Sequence, residues 1–184
     1  MTPAQLLALD QIALAAVQSE RATGCPAELS AAQAGIESAW LTKMSGKNNC
    51  FGIKSNPGIP GRELVTTHEW FTTAELAHFT SMGDGRTAKP TGRASATRQQ
   101  YQVQDWFAAF DTLAAGFAYH GALLQRGVYE PAWEAYQQNH DLDAYVREVA
   151  KHYATDPHYA MQVLSIARQA SVAAAVMKFR NATV

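Results

Sequence analysis

The sequence predicts an α+β fold, mainly α-helical, with a small β-rich lobe facing a helical lobe across a cleft. Three observations carry this prediction. Apolar residues recur at helical spacing through the first forty positions. Between residues 43 and 110 Gly, Pro, Asn, Ser and Thr dominate, with two β-prone runs among them. From Asp111 onward helical spacing returns, broken only briefly.

The first helix is expected over about residues 3–21, where Leu6, Leu9, Ala13 and Val17 share a face before Thr23-Gly24-Cys25-Pro26 interrupts it. A second helix is expected over about 27–42, with Leu29, Ala32, Ile36 and Trp40 on its apolar face. The first β-prone run is Glu63 to Phe71. In a strand there, Thr67, Glu69 and Phe71 share one face, and His68 and Trp70 the other. The second run is Gln100 to Phe107, polar and apolar by turns as far as Gln104. Residues 72–99 between them read as a long inserted loop, with a short helix over Thr73 to Phe79. Its cations Arg86, Lys89, Arg93 and Arg98 lie among Gly, Thr and Ser and read as a solvated face. Helices are expected near 111–126, 131–138, 141–153 and 158–178, the last started by Asp156-Pro157. A chain of 184 residues with 47% apolar content suits a single domain over 1–184, its β-rich lobe spanning about 50–108.

Composition excludes several function classes. A formal net charge of −1 offers no overall attraction to nucleic acid or anionic lipid. No apolar run approaches the roughly 20 residues that span a bilayer, so no stable membrane insertion is expected. The N-terminal segment lacks a basic n-region and carries Asp10, so it does not read as a signal peptide. The protein is expected to be made in the cytoplasm. The six histidines form no metal-binding spacing, and neither a metal nor another cofactor is expected. Cys25 and Cys50 read as buried small hydrophobes. A bridge between them is not decided by sequence.

One acid stands apart. Glu37 follows Ala34-Gly35-Ile36 and precedes Trp40, close to the apolar face of its helix and within reach of Gln33. Two readings fit: a solvated residue near a helix end, or a carboxyl kept protonated by desolvation for general acid catalysis. Glycoside hydrolysis commonly uses a second carboxylate. Glu69 is the candidate across the cleft and Glu63 its competitor, and either also reads as a solvent-facing strand residue. Phe51, Trp70, Tyr101, Trp106, Tyr153 and Tyr159 are candidate platforms for sugar faces. Phe51 and Trp106 read better as core, while Tyr153 reads as cleft-facing.

Four runs in order, TGCPAELSAAQAGIESAW, NNCFGIK, THEW and YATDPHYA, resemble the glucosaminidase domains of glycoside hydrolase family 73. The resemblance spans roughly residues 20–70 and 100–170. It implies a lysozyme-like fold and cleavage of the glycan backbone of peptidoglycan after N-acetylglucosamine. It implies Glu37 as general acid, Glu69 as second carboxylate and Tyr153 beside the acid. Asn49, Phe51, Gly52 and Lys54 would shape the cleft floor, with Trp70 and Tyr159 as further substrate contacts. The expected partner is the peptidoglycan glycan strand. The glycines that usually flank the Trp after the catalytic Glu are replaced by Ala39 and Leu41, which extends the helix or alters the turn after it. The expected setting is a phage or prophage endolysin, or an autolysin-like enzyme, acting on the wall after release. The alternatives are a muramidase or lytic transglycosylase on the same fold, an antibacterial effector with a cognate immunity protein, and a glycan-binding module without turnover.

Overall fold

The computed structural model describes residues 1–182 apart from Pro57, Pro60 and Thr155. Thr155, in the YATDP run, therefore lies outside the described residues. Among the described residues, eight α-helices and three β-strands follow in the expected order: helices, a small sheet, then helices.

Helix α1 (Pro3–Thr23) opens with a capping box between Thr2 and Gln5 and closes on Gly24 in the left-handed conformation. Helix α2 (Ala27–Glu37) is the centre of the helical lobe, and every residue from Leu29 to Gly35 is buried. Its small Ala, Ser and Gly side chains admit close neighbours on all sides. Ala31 and Ala34 join the cluster formed by Leu9, Ile12, Ala16, Phe117, Val172 and Val176. Leu29 and Ala32 join the one formed by Leu124, Tyr145, Val149, Val163 and Leu164. Burying a side chain such as Leu29 contributes about 1.5–3 kcal/mol.

The return to helix comprises α4 (Leu113–Leu123), α5 (Glu130–Asn139), α6 (Leu142–Tyr153), α7 (Tyr159–Ala167) and α8 (Ala170–Asn181). Gly116 of α4 lies so close to the chain at Asn48 that an added Cβ would sit 2.3 Å from its carbonyl oxygen. The expected single helix over 158–178 is instead two, bent by 60° around Arg168 and Gln169. Its start also moves: His158 is the N-cap, and Asp156 forms the turn ahead of it, accepting from the His158 N–H at 2.8 Å. Among the described residues no single helix is long and apolar enough to cross a membrane.

The sheet has the order β1-β3-β2, all antiparallel, from β1 (Gly61–Phe71), β2 (Thr87–Ala94) and β3 (Gln99–Ala109). Glu69 stands opposite Tyr101. Residues 72–99 are not the loop expected from their Gly, Pro and Thr content. They hold α3 (Thr73–Ser81), capped by Thr72 and Glu75, and the edge strand β2. Pro90 is tolerated there because an edge strand leaves one row of N–H positions unpaired. The basic run is likewise not a uniformly solvated face. Arg86 packs beside Asp105, and Arg98 pairs with Glu75 at 2.9 Å. Trp106, expected in the core, is only half-buried and lies under the Arg62 guanidinium at 4.1 Å. Cys25 and Cys50 are both buried and not bridged, and burial pushes each thiol up to about 12.

Candidate active site

Glu37 is the last residue of α2, which stops five residues short of the expected end at about position 42. The reason is the turn that follows. Ala39, Trp40 and Leu41 all adopt left-handed backbone, at φ 46°, 59° and 66°. Ser38 anchors this turn: its hydroxyl donates to Ala34 O at 2.6 Å and accepts from Leu41 N at 2.9 Å. The Trp40 ring folds back over Gly35, where an added Cβ would meet three ring carbons at 3.0–3.1 Å. Gly35 is therefore what lets the chain reverse immediately after the carboxylate.

Glu37 has one side open to solvent, so by surface area it is exposed. Protein crowds its other side enough that desolvation raises its pKa above the usual glutamate value, and this outweighs the opposing hydrogen bond from Tyr159. The Tyr159 hydroxyl donates to Glu37 Oε1 at 2.8 Å and accepts from the buried Gln33 amide at 3.2 Å. Gln33 lies one turn before Glu37 on α2, so one helix supplies both ends of this chain of bonds. Tyr153 stacks on Tyr159, with ring centroids 5.6 Å apart. Burial, then the nearby Glu37 charge, raise the pKa of Tyr153 well above the tyrosine value. Behind Tyr153 lies His120, fully buried and stacked flat on Phe51 at 3.7 Å. Burial pushes its pKa down to about 3, and among the described residues neither ring nitrogen has a hydrogen-bond partner. A neutral imidazole thus serves here as an aromatic plate.

The NNCFGIK run forms the loop facing Glu37. Asn49 is wholly buried and uses its amide on the loop itself. It donates to Ile53 O and Ala108 O at 2.9 and 3.0 Å, and accepts from the Phe51 and Ile53 amides. Asn49 thus organises the loop from beneath the cleft. Lys54 closes the loop by bridging to Phe107 of β3. Its ammonium lies 2.9 Å from Glu69 Oε1, 2.6 Å from Asp105 Oδ2 and 4.0 Å from the centre of the Phe107 ring.

These groups surround a cleft of about 500 Å³. Glu37, Phe51, Gly52, Lys54 and Tyr153 line it together, joined by Ile53, Asn56, Tyr119, Leu123, Tyr129 and Ala154. Tyr159 supports Glu37 from below and is itself buried. Glu69 does not line this cleft; it reaches it through Lys54, on the strand face shared with Thr67 and Phe71. Trp70 is on the opposite face of β1, well exposed and away from the lining, so the expected platform is not part of this cleft. Glu63 is occupied elsewhere, accepting from the Lys47 N–H at 2.8 Å.

Three contributors escaped the sequence reading. Asp105, buried on β3, holds Lys54 and lies 2.7 Å from Arg86 Nε, a contact by distance in which the N–H is not aimed at the oxygen. Its signal was available: an acid between Val103 and Phe107 on the inward face of an alternating strand. His120 and Tyr119 had no such local signal, because only long-range packing brings α4 to the loop. Among the described residues no three His, Cys, Asp or Glu side chains gather as a metal site.

Comparison with known proteins gives this geometry a family. Residues 13–172 match the glucosaminidase family model, described as mannosyl-glycoprotein endo-β-N-acetylglucosaminidase. Among solved structures, the chain resembles a peptidoglycan hydrolase mutant from Sphingomonas sp. A1 (20% identity, TM-score 0.62, covering 94% of this chain and 99% of that one). It also resembles the catalytic domain of the autolysin Auto from Listeria monocytogenes (19% identity, TM-score 0.63, covering 98% and 88%). A third is the truncated glycoside hydrolase domain of FlgJ from Salmonella typhimurium (21% identity, TM-score 0.58, covering 90% and 96%). These likenesses show a shared lysozyme-like fold. No curated protein matches the chain.

Proposed function

The chain belongs to the glucosaminidase family of glycoside hydrolases, and from that premise we propose that it is a peptidoglycan endo-β-N-acetylglucosaminidase with Glu37 as its general acid. The observation that carries the reading is the environment of Glu37, a carboxyl desolvated on one side, open to the cleft on the other, and fixed by Tyr159. Tyr159 donates to Oε1, which leaves the second carboxyl oxygen to hold the catalytic proton toward the cleft. In the reaction that proton passes to the glycosidic oxygen as its bond to the anomeric carbon breaks, and positive charge develops on the sugar. Tyr153, stacked on Tyr159 and edge-on to His120, walls the reacting centre, and Gly52 leaves the facing wall without a side chain. Glu69 is the candidate second carboxylate; it stands outside the cleft lining, joined to it through Lys54. The substrate class is drawn from the peptidoglycan hydrolases that share the fold.

One observation favours a second reading. Among the described residues lining the cleft, Glu37 is the one carboxyl-bearing side chain. A lytic transglycosylase needs a single acid, because a hydroxyl of the substrate itself attacks. Mass spectrometry of reduced products from purified peptidoglycan separates the two. Reducing-end N-acetylglucosamine supports the proposal, reducing-end muramic acid indicates a muramidase, and anhydro-muramic acid a transglycosylase. The endolysin setting is also part of the proposal, and neighbouring genes test it: a holin supports it, an immunity protein makes the chain an effector.

A further inference from the structure

We propose that Arg126, Tyr119 and Asn56 form an anion subsite at the edge of the cleft, which takes the carboxylates of peptidoglycan: those of its stem peptides, or the lactyl carboxylate where the peptide is absent. The inference rests on the peptidoglycan reading above and extends it from the sugar backbone to the charged substituents.

Tyr119 and Asn56 line the same cleft as Glu37. The Tyr119 hydroxyl receives two hydrogen bonds, from Asn56 Nδ2 at 3.1 Å and from Arg126 Nη2 at 3.4 Å. A phenol oxygen has two acceptor positions and one proton to give. With both acceptor positions taken by donors, the proton points away from them, and no acceptor among the described residues receives it. The Tyr119 hydroxyl proton is therefore left to give at this point, beside the Arg126 N–H groups not spent on Tyr119.

Charge singles out the same point. Lys54, the cation in the cleft lining, is neutralised by Asp105 and Glu69 at 2.6 and 2.9 Å, whereas Arg126 stands just outside the lining, behind Tyr119. Arg126 makes no ion pair among the described residues. Its guanidinium is steadied 5.7 Å from the centre of the Tyr119 ring and keeps Nε and Nη1 uncommitted. A guanidinium presents paired donors that match a carboxylate, with more directional selectivity than an ammonium. An uncharged N-acetylglucosamine polymer has nothing for such a group to hold, whereas peptidoglycan carries carboxylates on its stem peptides.

The test is steady-state kinetics on solubilised glycan strands bearing stem peptides, and on the same strands after amidation of their carboxylates. Arg126→Gln should raise KM about 5–20-fold on native strands, a range set by a charged hydrogen bond weakened by solvent exposure. It should leave kcat within about twofold and have no effect on amidated strands. Wild type on amidated strands should behave like the variant on native ones. Arg126→Lys should recover part of the loss, and Tyr119→Phe should reproduce part of it. An equal effect on both substrates, or none on native strands, overturns the subsite. A wild-type enzyme that cleaves neither substrate overturns the peptidoglycan reading and the subsite with it.

Discussion

The turn after Glu37 should respond differently to two glycine substitutions. Ala39 and Leu41 both hold left-handed backbone, which costs an L-residue about 1–2 kcal/mol each. Glycine removes that cost but brings extra unfolded-state entropy of about 0.5–1 kcal/mol. Ala39 is exposed and its methyl group contributes little, so Ala39→Gly should gain about 0.5–1 kcal/mol. At this chain length roughly 2–4 °C accompanies each kcal/mol, giving a rise in Tm of about 1–4 °C. Leu41 is half-buried against the main core, so its side chain contributes about half of the roughly 1.5–3 kcal/mol of full burial. Leu41→Gly forfeits that contribution and should leave Tm unchanged or lower. Thermal unfolding followed by circular dichroism gives both values, and activity should be retained in the Ala39 variant because Glu37 keeps its place. A fall in Tm for Ala39→Gly would refute the argument that the turn carries strain.

Two further outcomes follow from the bonds around the acid and the lysine. Tyr159→Phe removes the donor that favours ionised Glu37, so Glu37 should hold its proton to higher pH and the alkaline limb of kcat/KM should move upward. The same change strands the buried Gln33 amide and should cost about 1–3 kcal/mol in denaturant unfolding; an alkaline limb that moves downward contradicts the assignment. Asp105→Asn removes the buried charge shared by Lys54 and Arg86 and should cost about 3 kcal/mol, at the low end for a broken buried pair because Lys54 is half exposed. It should also lower kcat by releasing Lys54 from the cleft wall; unchanged kcat would show that Asp105 acts on stability alone.

The elements legible in the sequence were those whose packing repeats locally. The Leu29, Ala32 and Ile36 spacing located α2, and the Thr67, Glu69, Phe71 alternation gave the correct face of β1. The stop of α2 at Glu37 was hidden because its three left-handed residues are Ala, Trp and Leu, whereas the usual sign of such a stop is Gly or Asn. The inserted segment read as loop because β2 is an edge strand exposed along nearly its whole length, with no buried stripe to announce it. At the site, the way Asn49 organises its loop depends on four bonds to backbone atoms that no spacing encodes. The stacking of His120 on Phe51 joins positions 69 residues apart in the chain, a relation fixed only when α4 docks.

The central claim is that Glu37 supplies the proton to the departing glycosidic oxygen, and the kinetics of Glu37→Gln test it most directly. The amide fills the same space and can still meet the Tyr159 hydroxyl, but has no acidic proton to give. Release of reducing ends from purified peptidoglycan should fall about 10²–10⁴-fold, the contribution of a positioned general acid. The circular dichroism spectrum should match wild type. A correctly folded Glu37→Gln enzyme that retains activity within a few-fold of wild type would contradict the account.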